Sequence, residues 1–325
     1  MKKVLVTREI PDAGLRLLEA ECEVELNLRD RNLTPEELYR AAQDKDGILC
    51  LLNDRIDGDF LAANPQLKVV SNYAVGYNNI DLKAATAQGV MVTNTPGVLS
   101  ETTADLAWAL LMGVARRVIE GDQVIRSGRK WEWAPTFLLG QDIHHKVLGI
   151  VGMGRIGQAV ARRAQGFSMP VIYYNRTKLS FAQEKELGVE YRPFTGLLQE
   201  ADYISIHVPL TEETRHMFGS REFALMKRDA YLINTARGPI VDEAALAKAL
   251  QDGEIAGAGL DVYENEPEVN PAFLALPNVI LLPHVGSATI ATRNKMAELA
   301  AINLLAALKG QRPPHLLNPE VWQEK

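Results

Sequence analysis

Apolar positions along this chain fall into two alternating rhythms. Short unbroken apolar runs are followed by segments in which apolar residues recur every three or four positions. Val4 to Thr7, Gly47 to Leu52 and Val69-Val70 belong to the first kind, and Glu23 to Leu26 reads as a strand among them although two glutamates interrupt it. The second kind comprises Asp12 to Ala20, the segment opened by Thr34-Pro35, and Gly58 to Ala63. The unbroken runs read as strands buried on both faces, and the periodic segments as the helices that cover them, which is the order of a parallel sheet. After Pro96-Gly97, Ser100 is placed to cap a long helix through Leu106, Leu110, Leu111, Val114 and Val118. The rhythm then resumes with strand-like runs at 147–151, 171–174, 203–207, 231–234, 256–262 and 279–282. A closing helix is expected over Ala288 to Leu308.

One junction between the two rhythms carries chemistry. Val147, Leu148, Ile150 and Val151 run into Gly152-Met153-Gly154-Arg155-Ile156-Gly157, after which Ile156, Val160 and Ala164 recur at helical spacing. A strand, this glycine spacing and a helix form the turn that binds a dinucleotide. The first glycine turns the chain, the second admits the pyrophosphate, and the third lets the helix pack on its strand. The helix N-terminus offers free N–H groups and partial positive charge to the phosphates. Val171 to Tyr174 completes the βαβ unit.

Hydrophobic residues are 47% of the 325 and charged ones 23%, a globular balance with material for two cores. The expected fold is α/β, with two doubly wound domains, the one that carries the glycine turn being of Rossmann type. The predicted boundaries are 1–98 with 289–325 for the substrate domain and 99–288 for the dinucleotide domain. Net charge is -6 and the 35 basic residues are scattered, so no nucleic acid partner is expected. Leu106 to Ala115 is too short to cross a bilayer, and the start of the chain lacks a signal-peptide pattern, so no membrane role and a cytoplasmic location are expected. Cys22 and Cys50 read as buried thiols. The histidines, His144-His145 included, show no metal-ligand spacing, so no metal is expected. Trp131, Trp133 and Phe137 form a dense aromatic segment that buries itself against its own core or a partner subunit.

In a doubly wound sheet, loops at the carboxyl ends of the strands gather over the cofactor. Three ionisable residues on those loops suit one reaction. Arg237 offers a planar fork for a substrate carboxylate. His284 can give or take the proton of a carbonyl oxygen, and Glu266 would orient it and favour the imidazolium.

The chain resembles the D-isomer-specific 2-hydroxyacid dehydrogenases, closest to the glyoxylate/hydroxypyruvate reductase branch. The resemblance runs from Val75-Gly76 through the Gly152 loop, Asn234-Thr235-Ala236-Arg237-Gly238, Gly259-Leu260-Asp261-Val262 and Glu266-Pro267 to Pro283-His284-Val285-Gly286-Ser287. It implies reduction of small 2-oxo acids to D-2-hydroxy acids by hydride transfer, with Arg237, Glu266 and His284 as catalytic residues. Backbone N–H groups at Val75 and Gly76 would help hold the substrate as the domains close. Asp261 would bind the nicotinamide carboxamide. Thr103, His207, Pro209, Thr214, Thr235, Ala236 and Gly286 would line the cofactor beside Gly152, Gly154, Arg155, Ile156 and Gly157. The resemblance also implies that the Rossmann-type cofactor domain is inserted into a smaller flavodoxin-like substrate domain, and that the protein is a homodimer, in which Phe137 would reach the neighbouring subunit's site.

Two positions refine the expectation. An acid usually ends the strand after the glycine loop and binds the adenosine ribose, but here Asn175 stands there, followed by Arg176, Thr177 and Lys178. That set suits a 2′-phosphate, so NADPH is preferred and NAD(H) is the alternative cofactor. Related 3-phosphoglycerate dehydrogenases carry a basic motif where this chain has Leu51-Leu52, so Leu52 points to a small uncharged substrate tail. The rival readings are a dehydrogenase for another D-2-hydroxy acid, such as D-lactate, D-glycerate or 3-phosphoglycerate, and a dinucleotide-sensing corepressor-like binding protein.

Overall fold

Val4-Leu5-Val6, Ile48-Leu49-Cys50 and Val69-Val70 are buried along their whole length, as strands covered on both faces must be. The structure, a computed structural model, describes residues 1–322. The chain divides into two compact units: Met1–Leu99 together with the chain from Ser287 onward, and Ser100–Gly286.

The first unit alternates β1 (Lys2–Val6), α1 (Asp12–Glu19), β2 (Cys22–Leu26), α2 (Pro35–Ala42), β3 (Gly47–Cys50), α3 (Gly58–Ala63), β4 (Val69–Asn72), α4 (Leu82–Ala87) and β5 (Met91–Thr93). Side-chain caps set the helix starts. Thr34 and Glu37 form a capping box, and Asp57 and Asp81 each accept a first-turn N–H. The strands lie in the order β2-β1-β3-β4-β5, all parallel, which is a flavodoxin-like arrangement. At their carboxyl ends, Leu51 and Leu52 are half-buried in the turn after β3, where Asp54 accepts from the Leu51 N–H (2.7 Å) and the Thr7 hydroxyl. Asn94 and Asn72 donate to the carbonyls of Val75 and Gly76 (both 2.8 Å), so that turn is held from both sides. Cys22 and Cys50 are buried free thiols.

The second unit begins with α5 (Ser100–Ala115) and α6 (Val118–Arg126). It continues through β6 (Leu148–Val151), α7 (Arg155–Ala164), β7 (Val171–Tyr174), α8 (Phe181–Leu187), β8 (Val189–Tyr191), α9 (Phe194–Glu200) and β9 (Tyr203–Ile206). Then follow α10 (Ser220–Leu225), β10 (Tyr231–Asn234), α11 (Glu243–Gln251), β11 (Gly257–Leu260), α12 (Pro271–Leu274) and β12 (Val279–Leu281). The strand order is β12-β11-β10-β9-β6-β7-β8, parallel throughout, and it reverses direction of growth between β6 and β9. That is the doubly wound dinucleotide topology extended by a seventh strand.

The long helix expected from Ser100 through Val118 is two helices. The Ala115 carbonyl accepts from the Gln141 N–H at 2.9 Å instead of from the next turn. Arg117 then takes a left-handed conformation (φ 53°) before α6 starts. The last helix, α13 (Ile290–Leu308), starts two residues later than expected, because Thr289 caps it, and it belongs to the first unit. There the Ser71 hydroxyl donates to the Ala300 carbonyl at 2.8 Å, and α1 lies so close that a Cβ on Gly14 would collide with the Ala297 backbone.

Candidate active site

The glycine turn sits at the switch point of the seven-stranded sheet. Gly152 has φ +102°, and a Cβ there would lie 2.6 Å from the His207 carbonyl carbon at the end of β9. A Cβ on Gly157 would collide with the Gly152 oxygen, whereas one on Gly154 would meet nothing within 4 Å. Two of the glycines therefore serve close packing, and the middle one leaves open room at the N-terminus of α7, where Arg155 is exposed and Ile156 half-buried.

Two buried polar atoms beside this turn have no partner among the described residues, Thr235 Oγ1 after β10 and His207 Nδ1 after β9. A buried polar group without a hydrogen bond is costly, so this pair fits a polar ligand seated over the strand ends, as a dinucleotide would be. Burial drives the His207 pKa down to about 3, so its ring is neutral, and its Nε2 lies 2.8 Å from the Ser205 hydroxyl. Thr214 donates to the Pro209 carbonyl at 2.7 Å and closes the loop after β9 on itself. Thr103 is buried on α5, and a Cβ on Gly286 would lie 3.5 Å from its methyl group.

At the end of β7, Asn175 accepts from the Met153 N–H and donates to the Thr177 carbonyl, both at 3.1 Å. It thus ties the glycine turn to the Arg176-Thr177-Lys178 turn. Arg176 and Thr177 are exposed there. Lys178 is engaged within its own unit, 3.7 Å from the Glu184 carboxylate and over the Tyr191 ring, which leaves Arg176 as the more available cation of the pair.

The three ionisable residues occupy adjacent strand ends of the same sheet. His284 Nδ1 lies 2.7 Å from Glu266 Oε2, and the other Glu266 oxygen accepts from the Tyr263 N–H at 3.0 Å. Burial pushes the Glu266 pKa up, but its bond to His284, that residue's charge, the Tyr263 N–H and Arg237 together hold it below the ordinary carboxylate value. Glu266 is therefore the acceptor, His284 Nδ1 carries the proton, and Nε2 is left to exchange one with a ligand. Arg237 is half-buried. Desolvation lowers its pKa while the Glu266 charge opposes that shift, so it stays a cation whose surroundings favour an anionic partner.

His284 itself has a left-handed backbone (φ 56°), and Asp261 holds it there. The Asp261 carbonyl accepts from the His284 N–H at 2.9 Å, and its two carboxylate oxygens accept from the N–H groups of Val285 and Gly286, each at 2.8 Å. The resemblance marks Asp261 as a cofactor contact; the structure adds that its side chain shapes the histidine turn. Asn234 enters the sequence reading only as part of a motif. In the structure its amide donates to the Arg237 carbonyl and its oxygen accepts from the Ala236 N–H, both at 3.0 Å. An asparagine closing on the residue two ahead is a known turn-former, and that was the signal available.

Residues 108–286 match the family described as D-isomer specific 2-hydroxyacid dehydrogenase, NAD binding domain. A glyoxylate reductase from Thermococcus litoralis is 51% identical over 325 residues, covering 98% of this chain and 97% of the relative. The chain belongs to the D-isomer specific 2-hydroxyacid dehydrogenases. A glyoxylate reductase of Korarchaeum cryptofilum is 52% identical over 98% of this chain and 96% of its own. Among solved structures, a Thermus thermophilus protein superposes with TM-score 0.91 at 45% identity, over 97% of this chain and 99% of that one. An NADPH-dependent glyoxylate/hydroxypyruvate reductase from Sinorhizobium meliloti, in complex with NADP and malonate, gives 0.85 at 35% identity, over 100% of this chain and 99% of that one. The parallel sheets, the Rossmann-type unit and the dinucleotide turn expected from the sequence are those of this family. Among the described residues no helix is long and apolar enough to cross a membrane, and no group of three or more His, Cys, Asp or Glu side chains is placed to hold a metal ion.

Proposed function

We propose that the protein reduces small 2-oxo acids, glyoxylate and hydroxypyruvate foremost, to 2-hydroxy acids of D configuration where the product is chiral. The observation that carries this reading is the 2.7 Å His284–Glu266 pair on the same sheet edge as Arg237 and the glycine turn. The Gly152–Gly157 turn, with Thr235 and His207 beside it, would hold a nicotinamide dinucleotide, which would supply hydride for the carbonyl carbon. Arg237 clamps the substrate carboxylate through paired N–H bonds. His284 delivers a proton from Nε2 to the carbonyl oxygen as negative charge develops there, and Glu266 stays ionised and stabilises the imidazolium beforehand. The names of the glyoxylate reductases at about half identity support the substrate class.

The cofactor we propose is NADPH. Asn175 brings no carboxylate to repel a 2′-phosphate, and Arg176 and Thr177 stand exposed beside it. The test is a panel of glyoxylate, hydroxypyruvate, pyruvate and 3-phosphohydroxypyruvate against NADPH and NADH, followed by the loss of reduced-nicotinamide absorbance. The expected result is highest kcat/KM for glyoxylate or hydroxypyruvate with NADPH. A preference for NADH overturns the cofactor, a preference for the phosphorylated acid overturns the substrate, and no turnover at all favours a dinucleotide-sensing role.

We also infer a homodimer built on the second unit. Trp131 (53% exposed), Trp133 (79%), Phe137 (41%) and Leu139 (62%) are not buried in their own core, which leaves a partner subunit as the surface they cover. Phe137, stacked on Trp131 with centroids 6.4 Å apart, is the residue proposed to reach the neighbouring site. Sedimentation of Trp133→Ser as a monomer, beside a dimeric wild type, is the expected outcome.

A further inference from the structure

Between Arg237 and Glu266 the second unit carries an arrangement that the proposed chemistry does not use. Just after Arg237, Gly238 packs so closely on the neighbouring loop that a Cβ there would collide with the Tyr263 carbonyl. Pro239 and Ile240 then lead into α11, whose first residue is Glu243. The Glu264 N–H donates to Glu243 Oε1 at 2.8 Å, and the Glu243 N–H donates to Glu264 Oε1 at 3.1 Å. His216 Nε2 lies 2.9 Å from that same Glu264 oxygen, and the His216 backbone N–H donates to the Pro239 carbonyl at 2.8 Å. Three segments, at 216–218, 237–243 and 263–266, are thereby laced together.

Glu243 is only 8% exposed, an expensive place for a carboxyl group unless its bonds do something an apolar side chain could not. What they do is join the loop of Arg237 to the loop of Glu266 by two reciprocal bonds, a few residues from each.

Resting on the proposed reaction, we propose that Glu243 and Glu264 are positioning residues: their reciprocal clamp sets the spacing of the Arg237 carboxylate fork from the Glu266–His284 acid/base pair. Both carboxylates are committed to each other's backbone N–H groups. A misplacement of about 1 Å in a reacting group can cost on the order of 100-fold in rate, so loosening the clamp reaches the chemistry without removing any group that performs it.

The test compares Glu243→Ala, Glu264→Ala and their double variant with Glu243→Gln and Glu264→Gln, in the full-length protein with glyoxylate and NADPH. Each alanine variant is expected to lose roughly 10- to 100-fold in kcat/KM, with KM for glyoxylate rising and the Kd for NADPH unchanged within about twofold. The double variant should be no worse than the worse single one, because either truncation opens the clamp. The glutamine variants keep an accepting oxygen and should recover to within about threefold of wild type. Should Glu243→Ala fail to fold, Glu264→Ala reads the same clamp from its partly exposed side. Alanine variants as active as wild type, additive losses, glutamine variants as impaired as alanine, or a parallel loss of NADPH binding each overturn the proposal. A wild-type protein silent on every 2-oxo acid overturns the proposed reaction itself, and the positioning role falls with it.

Discussion

His284 has an unusual backbone for a residue asked to move a proton, and Asp261 is the reason it can be kept. Both Asp261 oxygens are committed to N–H groups of the following turn, and burial pushes its pKa up. Asp261→Asn would turn an amide N–H toward one of those donors, so a loss of about 1–3 kcal/mol in stability and a fall in kcat are expected, read by thermal melting and initial rates. His284→Ala should lower kcat by about 100- to 10,000-fold with little change in NADPH affinity. Glu266→Gln tests the pairing through pH. Burial pushes the Glu266 pKa up, but the bond to His284 and the charges around it outweigh that push and lower it, so its carboxylate is present throughout the neutral range. Without that charge, the alkaline fall in reductase activity should begin at lower pH, and an unmoved pH profile would count against the pair. The ionisable trio was legible because each member follows a strand and has the right chemistry. Glu243, Glu264 and His216 were not, because their bonds join segments far apart along the chain and nothing in local sequence marks them.

At the scale of elements, the sequence pattern located ten of the twelve strands among the described residues and the glycine turn, since unbroken apolar runs leave a chain few alternatives to a doubly covered strand. It missed β5 and β8, each only three residues long and paired along one edge alone, too short to stand out as apolar runs. It failed at the break between α5 and α6. The apolar periodicity continues through Val118, and what ends the helix is a bond from Gln141, far down the chain, to the Ala115 carbonyl. Gly152→Ala measures how much the glycine turn itself matters. The left-handed backbone and the 2.6 Å approach to His207 leave no room for a methyl group. NADPH binding should therefore fall at least about tenfold in a fluorescence titration.

For the whole molecule, the decisive feature is that the first unit is built from both ends of the described chain while the second is continuous. Gly14→Ala would force α1 away from α13, and a destabilisation of about 1–3 kcal/mol is expected by denaturant unfolding. The nested plan entered the sequence reading through the resemblance rather than through periodicity, which carries no information about which helix returns to which sheet. The arrangement also imposes an order on synthesis. On the ribosome, β1 to β5 emerge first, but the helix that covers them and accepts the Ser71 bond is made only after the whole second unit has been translated. At about 5–20 residues per second, the early strands wait on the order of ten seconds or more for their last partner, so the dinucleotide unit can be complete before the unit that was begun first.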